Sequence, residues 1–385
     1  MSRPGITAAQ QTVLTCEKIT VEFSGASGGE EDGIGMHPDS GRPLSFFAAG
    51  IMDLSQERQC PSMDLETKAR LIAVGTVRLE EPRQSGPAST AGPGAGGQSI
   101  FFQSGMHLVR LSVTEDSPLR LESRPDGAAI VENGRVLARG NLVQPLLHCP
   151  GQAYITVSER CIYDCKFCAV PRLKGGVKSQ ERVLQMVEDA AKTGGMKAIS
   201  LTSGVEATPE QEGEKIAALV RQLSRFGVPI GVSICPYPGV NRLLRDAGTA
   251  EVKYNLECAD RDLFRHVCPG ISYQEIMDAL VEAVEVFGKN HVFSNIIIGL
   301  GESDETLRRT IDDLTEKGII PVLRAVYPHP LREGQAMMVR PTAARMMDLA
   351  RYLKDALEKN GLDGRAALTG CYRCTGCDLI HGRDL

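Results

Sequence analysis

The pattern of hydrophobic and polar positions changes character near residue 150. Before it, short apolar runs of β type (residues 19–23, 71–77 and 108–113) are separated by Gly, Pro and Ser. Asn133-Gly134 lies between two apolar runs and predicts a β-hairpin. Residues 85–97, almost entirely Gly, Pro, Ser, Ala and Thr, predict a mobile loop. Residues 1–150 therefore read as a β-rich N-terminal domain with little helix and no chemical motif.

From residue 151 strands and helices alternate. Apolar runs at 153–157, 198–202, 230–234, 252–256, 292–298 and 321–326 predict strands. Amphipathic stretches at 179–192, 209–226, 240–247, 272–287 and 303–317 predict helices, with Val183, Met186, Val187 and Ala190 forming one apolar face. Ser272 with Glu275 makes a capping box, and Ser303-Asp304 opens the next helix. Six strands alternating with helices predict an α/β fold with a parallel sheet, a partial (β/α)6 barrel over 151–335. Functional groups belong at the C-terminal ends of such strands. A last helix, 341–360, starts at Thr342 and stops before Gly361, and a short Cys-rich tail completes the segment 336–385.

Composition narrows the function. The 385 residues carry a formal charge of −5 without a cluster of Lys and Arg, which argues against a nucleic-acid partner. No apolar run nears the ~18 residues of a membrane span, and the N-terminus has no apolar signal core, so a cytoplasmic chain without membrane partners is expected. Twelve cysteines are then unusual, because that compartment rarely keeps structural disulfides. Six form two tight triplets. Cys16, Cys60, Cys149, Cys235, Cys258 and Cys268 are scattered and read as small buried hydrophobes.

The first triplet, Cys161-Ile162-Tyr163-Asp164-Cys165-Lys166-Phe167-Cys168, directly follows the first barrel strand. Three thiolates on so short a loop can grip one face of an iron–sulfur cube and leave the fourth iron open for chemistry. This C-x3-C-x2-C run, with Phe167 before its last cysteine, resembles the signature of the radical SAM superfamily, on its biotin synthase, PylB and HydE side. The resemblance covers residues 150–330. It implies a radical SAM barrel with a [4Fe–4S] cluster on Cys161, Cys165 and Cys168. It also implies S-adenosylmethionine cleaved to a 5′-deoxyadenosyl radical that attacks an unactivated C–H bond, and a flavodoxin- or ferredoxin-type electron donor.

Further pieces of the resemblance follow in order. Ser203-Gly204-Val205-Glu206 stands where the family has a Gly-Gly-Glu turn, which implies that Gly204 lets the backbone approach the cofactor and that Glu206 accepts from the methionyl ammonium. Asn255 and Glu257 resemble the polar pair that holds the ribose. Asn295-Ile296-Ile297-Ile298-Gly299-Leu300-Gly301-Glu302 resembles the adenine stretch, with Asn295 in place of a glycine and Ile297 against the base. Tyr163, Arg324, Tyr327 and His329 are candidates for touching substrate.

The second triplet, Cys371-Tyr372-Arg373-Cys374-Thr375-Gly376-Cys377, has C-x2-C-x2-C spacing with His381 four residues on. Thiolates so close repel unless a metal neutralises them. The site is expected to hold a second iron–sulfur cluster, or zinc or a single iron completed by His381 or a distant cysteine.

Radical formation does not name the product. Three readings stand, in this order: C-methylation of a peptide or protein, making the chain a methyltransferase; sulfur insertion fed by the second cluster, as in lipoyl synthase; and a carbon-skeleton rearrangement of a small molecule. The first implies cobalamin, although no Asp-x-His-x-x-Gly signature is present. A non-enzymatic iron–sulfur electron carrier is the contrasting alternative, and carriers use four cysteines per cluster.

Overall fold

A computed structural model describes residues 62–80 and 96–385. The strand at 19–23, most of the loop at 85–97, Cys16 and Cys60 lie outside the described residues. All described residues fall within one compact unit, Arg58–Leu385.

The described chain opens with helix α1 (Leu65–Val74), capped by Asp64, whose side chain accepts from the Thr67 amide, and closed by Gly75 at φ 71°. The sequence places a strand over 71–77; the helix takes Leu71–Val74 and only Thr76 onward is extended. The physical reason is the N-cap together with the buried face Lys68, Ala69, Leu71 and Ile72, a helical spacing that starts before the apolar run and continues through it. Six strands follow: β1 (Thr76–Leu79), β2 (Ser99–Ser104), β3 (His107–Val113), β4 (Leu119–Arg124), β5 (Gly127–Glu132) and β6 (Arg135–Leu142). They close a small barrel in the order β1-β3-β2-β6-β5-β4, with β1 parallel to both β3 and β4. Asn133 and Gly134 join β5 to β6 with positive φ at both positions, the geometry that makes Asn-Gly a hairpin turn.

The second sheet is entirely parallel and runs in chain order, β12-β11-β10-β9-β8-β7. Its strands are β7 (Gln152–Thr156), β8 (Ala198–Thr202), β9 (Ile230–Ser233), β10 (Glu251–Lys253), β11 (Val292–Ile298) and β12 (Ile320–Ala325). The helices between them are α2 (Gln180–Lys192), α3 (Pro209–Leu223), α4 (Val240–Ala247), α5 (Arg261–Val267), α6 (Tyr273–Phe287) and α7 (Asp304–Glu316). Sequential order without closure between β7 and β12 is the partial barrel that the alternation predicts. Ser179, Ser272 and Ser303 cap their helices as the sequence requires. β10 is shorter than expected. After Lys253 the backbone leaves the ladder, and Glu257 sits at φ 61°, pinned to β11 by Glu257 N to Asn295 O (2.8 Å) and Ile297 N to Glu257 O (2.8 Å). Helix α8 (Ala343–Lys359) starts at Thr342, and α9 (Gly370–Cys374) carries the start of the second cysteine triplet. No helix among the described residues is long and apolar enough to cross a membrane.

Candidate active site and a second thiol centre

The loop after β7 carries Cys161, Cys165 and Cys168 at the C-terminal mouth of the parallel sheet, and backbone bonds fix its course. Ile162 N donates to Val205 O (2.8 Å), Gly204 N to Ser158 O (3.0 Å) and Lys166 N to Val267 O (2.7 Å). Gly204 is required there: a Cβ would stand 2.1 Å from Arg160 O. Arg332, fully buried, donates from Nε to Cys168 O (2.6 Å) and pairs with Asp164 (2.7 Å). That ion pair, with Lys166 at 2.9 Å and Arg172 at 3.0 Å, holds the Asp164 carboxyl down at about 2.

A cavity of about 300 Å³ opens beside this loop. Cys161, Phe167, Cys168, Ser203, Gly204, Asn255, Glu257, Asn295, Ile297, Arg324, Tyr327 and His329 all line it. A second cavity, of about 150 Å³, flanks the loop and reaches Tyr163, Cys165, Cys235 and Cys268. Burial raises the Cys161 thiol and pushes Cys168 up to about 12, so both favour the neutral thiol without a metal. Burial also pushes Glu257 up to about 7, against the opposing pull of Lys253 and of a hydrogen bond from Asn255. The Oδ1 atoms of Asn255 and Asn295 are buried and find no hydrogen-bond partner. Unsatisfied polar atoms on a cavity wall cost free energy unless a ligand satisfies them.

Two residues singled out in the sequence line neither cavity. Glu206 faces Lys215 at 3.4 Å and Arg160 at 3.8 Å on the outside of the turn. Gly299, at φ 110°, makes room for Val339 O, which a Cβ would meet at 2.1 Å. Beside it the Glu302 carboxylate accepts from the amides of Gly299 and Leu300, both at 2.8 Å. Sequence reasoning also missed Cys268, whose thiol hydrogen-bonds that of Cys165. That contact and burial push Cys268 well above the ordinary thiol range. Its only sequence signal is position, directly after a short helix that the periodicity did not reveal.

The second triplet lies at the opposite, N-terminal mouth of the same sheet. Leu368 N and Thr369 N donate to the two oxygens of Glu251, at 2.7 and 2.8 Å, on the first residue of β10. Gly370 N reaches Gln152 Oε1 (2.8 Å), and Tyr372 Oη donates to Pro321 O (2.9 Å). The closed barrel covers the other side, with Arg110 N donating to Gly376 O (2.6 Å) and buried Lys68 Nζ to Thr375 O (2.8 Å). Cys371, Cys374 and Cys377 share a small pocket with His148, Cys149, Tyr154, Arg324 and Asp378. Cys149 is the scattered cysteine the sequence reads as a packing residue; it abuts the triplet. His381 does not join them: burial lowers its ring, and the charges around it belong to Glu358, Lys354, Asp363 and Arg365. Among the described residues, no three His, Cys, Asp or Glu side chains stand ready to hold a single metal ion.

Cations surround this pocket. Lys253 Nζ lies 3.7 Å from Cys371 Sγ, and Arg324 pairs with Asp378 at 2.6 Å. Burial works against the charged Arg324, but Asp378, Cys371 and Cys377 outweigh it and raise the guanidinium well above its usual value. Arg324 Nε and Asp378 Oδ1 remain buried without hydrogen-bond partners. Tyr154, Lys253 and Arg324 line both the large cavity and the space beside the second triplet.

A parallel partial barrel with a three-cysteine loop after its first strand and a cavity beneath it defines an enzyme class that works on a small bound cofactor through an iron–sulfur cluster. The radical SAM superfamily model matches residues 155–314. The biotin synthase of Persephonella marina is 30% identical over 237 residues, covering 57% of this chain and 68% of that protein. The lipoyl synthase of Halorubrum lacusprofundi is 28% identical over 193 residues, covering 48% of this chain and 60% of that protein. The crystal structure of methylornithine synthase (PylB) aligns over 57% of this chain and 74% of its own, with 18% identity and a TM-score of 0.44. The chain thus spans 60% of the length of that lipoyl synthase. It belongs to the radical SAM superfamily. Members hold a [4Fe–4S] cluster and S-adenosylmethionine, and the residues present fit both: three clustered thiols, a glycine with no room for a side chain, and two unsatisfied amide oxygens on the cavity wall.

Proposed function

We propose that this chain inserts sulfur into an unactivated C–H bond, with the radical generated at the first cysteine triplet and the sulfur supplied from a centre on Cys371, Cys374 and Cys377. One observation carries the reading. The cavity that begins at Cys161 and Cys168 ends on Tyr154, Lys253 and Arg324, the side chains that border the second triplet. A substrate in that space borders the first triplet directly and the second only through these three side chains. Lipoyl synthase and biotin synthase are sulfur-inserting enzymes, which favours the second of the three reactions expected from the sequence over the first. Methyl transfer, with or without cobalamin, has no such support.

The cluster and S-adenosylmethionine supply one-electron cleavage to a 5′-deoxyadenosyl radical when bound. The chain's residues bind and orient. Cys161, Cys165 and Cys168 would hold the cluster, and Asp164 and Arg332 fix the loop's course. Glu257 and Asn255 accept the ribose hydroxyls, Ile297 packs on the adenine, and Asn295 offers its free Oδ1 to the base. Ser203 and Gly204 set the turn that braces the cysteine loop, and Phe167 closes its side of the cavity. Glu206 shields the turn from outside rather than touching the cofactor.

The test offers anaerobic protein, with a flavodoxin or dithionite as reductant, the substrates of lipoyl synthase and of biotin synthase as probes. The expected result is 5′-deoxyadenosine together with a product that has exchanged hydrogen for sulfur. A product carrying a methyl group from S-adenosylmethionine would overturn the reading in favour of methyl transfer.

A further inference from the structure

We propose that Cys149 is the fourth ligand of a [4Fe–4S] cluster held by Cys371, Cys374 and Cys377 at the N-terminal mouth of the barrel, between the parallel sheet and the small closed barrel. This deepens the sulfur-insertion reading and rests on it only for the use to which the cluster is put.

Four observations converge. Cys149, Cys371, Cys374 and Cys377 line one pocket, and Cys149 is buried against the triplet. The turn that presents Cys149 is tied to the tail. Cys149 bridges to Gln152, whose side chain both accepts from Gly370 N (2.8 Å) and donates to Gly370 O (3.1 Å). Cys149 and the start of the triplet therefore move as one piece. The charges match: a cube with four thiolates is a dianion, and Lys253, Arg110 and the Asp378-paired Arg324 stand around the pocket. Arg324 Nε is buried without a hydrogen-bond partner. The donor set is all sulfur, the preference of iron–sulfur centres.

The competing fourth donors are His148, in the same pocket, and His381. Imidazole can ligate iron as thiolate does, which makes the distinction an experimental one.

The experiment isolates the second centre in a Cys161→Ala/Cys165→Ala/Cys168→Ala background, reconstituted anaerobically, and reads iron, acid-labile sulfide and the electron paramagnetic resonance spectrum after reduction. The parent is expected to keep about four irons and four sulfides per chain. Cys149→Ala loses most of both; Cys149→Ser, which keeps size and fold, shifts the g-values; His148→Ala and His381→Ala change neither. An unchanged iron content in Cys149→Ala, or an unchanged spectrum in Cys149→Ser, overturns the assignment of Cys149. One zinc and no sulfide in the parent overturns the cluster itself. No catalytic readout enters, so these results stand whether or not sulfur reaches a substrate.

Discussion

The two mouths of the parallel barrel hold the same motif, three cysteines within eight residues, in opposite surroundings. At the C-terminal mouth the thiols border two cavities, of about 300 and 150 Å³, and the backbone of one loop carries all three. At the N-terminal mouth the triplet is folded into a tail that the sheet clamps from one side and the closed barrel from the other, in a pocket ringed by Arg110, Lys253 and Arg324. Its three thiols are half-buried. The difference teaches that spacing alone names a metal site but not its job. Room for an exchangeable ligand marks the first end, and packing with charge compensation marks the second.

The largest expected effect separates the two ends by function. Cys165→Ala should abolish 5′-deoxyadenosine formation, by more than about 100-fold, measured by liquid chromatography. Cys374→Ala should leave that nucleoside forming while thiolated product disappears. Loss of both activities together in Cys374→Ala would show that the ends are not independent.

Next comes the buried ion pair. Asp378→Ala strands Arg324 in the metal-free protein and should lower its unfolding free energy by about 3–5 kcal/mol, measured with denaturant. The loss should be smaller once the metal is loaded, because the thiolates then supply the counter-charge.

At the other end, Glu257 titrates near 7 when folded against an ordinary carboxyl value of 4.5. A raised acid is stabilising in its protonated form. Its contribution is therefore fully present below 4.5 and is lost as pH rises through 7. Relative to Glu257→Gln, ligand-free wild type should lose about 3 kcal/mol of stability between those limits. A flat difference across that window would mean that the carboxyl is solvated.

The smallest effect tests the clamp without touching a cysteine. Gly231→Ala places a Cβ 2.0 Å from Thr369 Oγ1 and should cost about 1–3 kcal/mol. Iron should fall in the second centre and not in the first.

The sheet was legible because each strand is a compact apolar run between helices with explicit caps, and 198–202 and 292–298 match β8 and β11 residue for residue. Helix α1 was not, because Leu71, Ile72 and Val77 read as a β run once the N-cap seven residues earlier is overlooked. The members of each triplet could be seen together since a local loop carries them. Which mouth the tail would reach could not, for its anchors, Gln152, Glu251 and Pro321, are distant in sequence and ordinary in type. Cys149 left one faint signal. It follows His148 and precedes Pro150 and Gly151, outside any periodic apolar segment, which is poor company for a packing residue.

The most direct measurement is a single turnover in which only the second centre carries heavy sulfide, with the product's isotope pattern read by mass spectrometry. Heavy sulfur in the product, with a matching loss from the protein, is the predicted result. A product formed with light sulfur, or formed with the labelled centre fully retained, would contradict sulfur transfer from the buried end of the barrel.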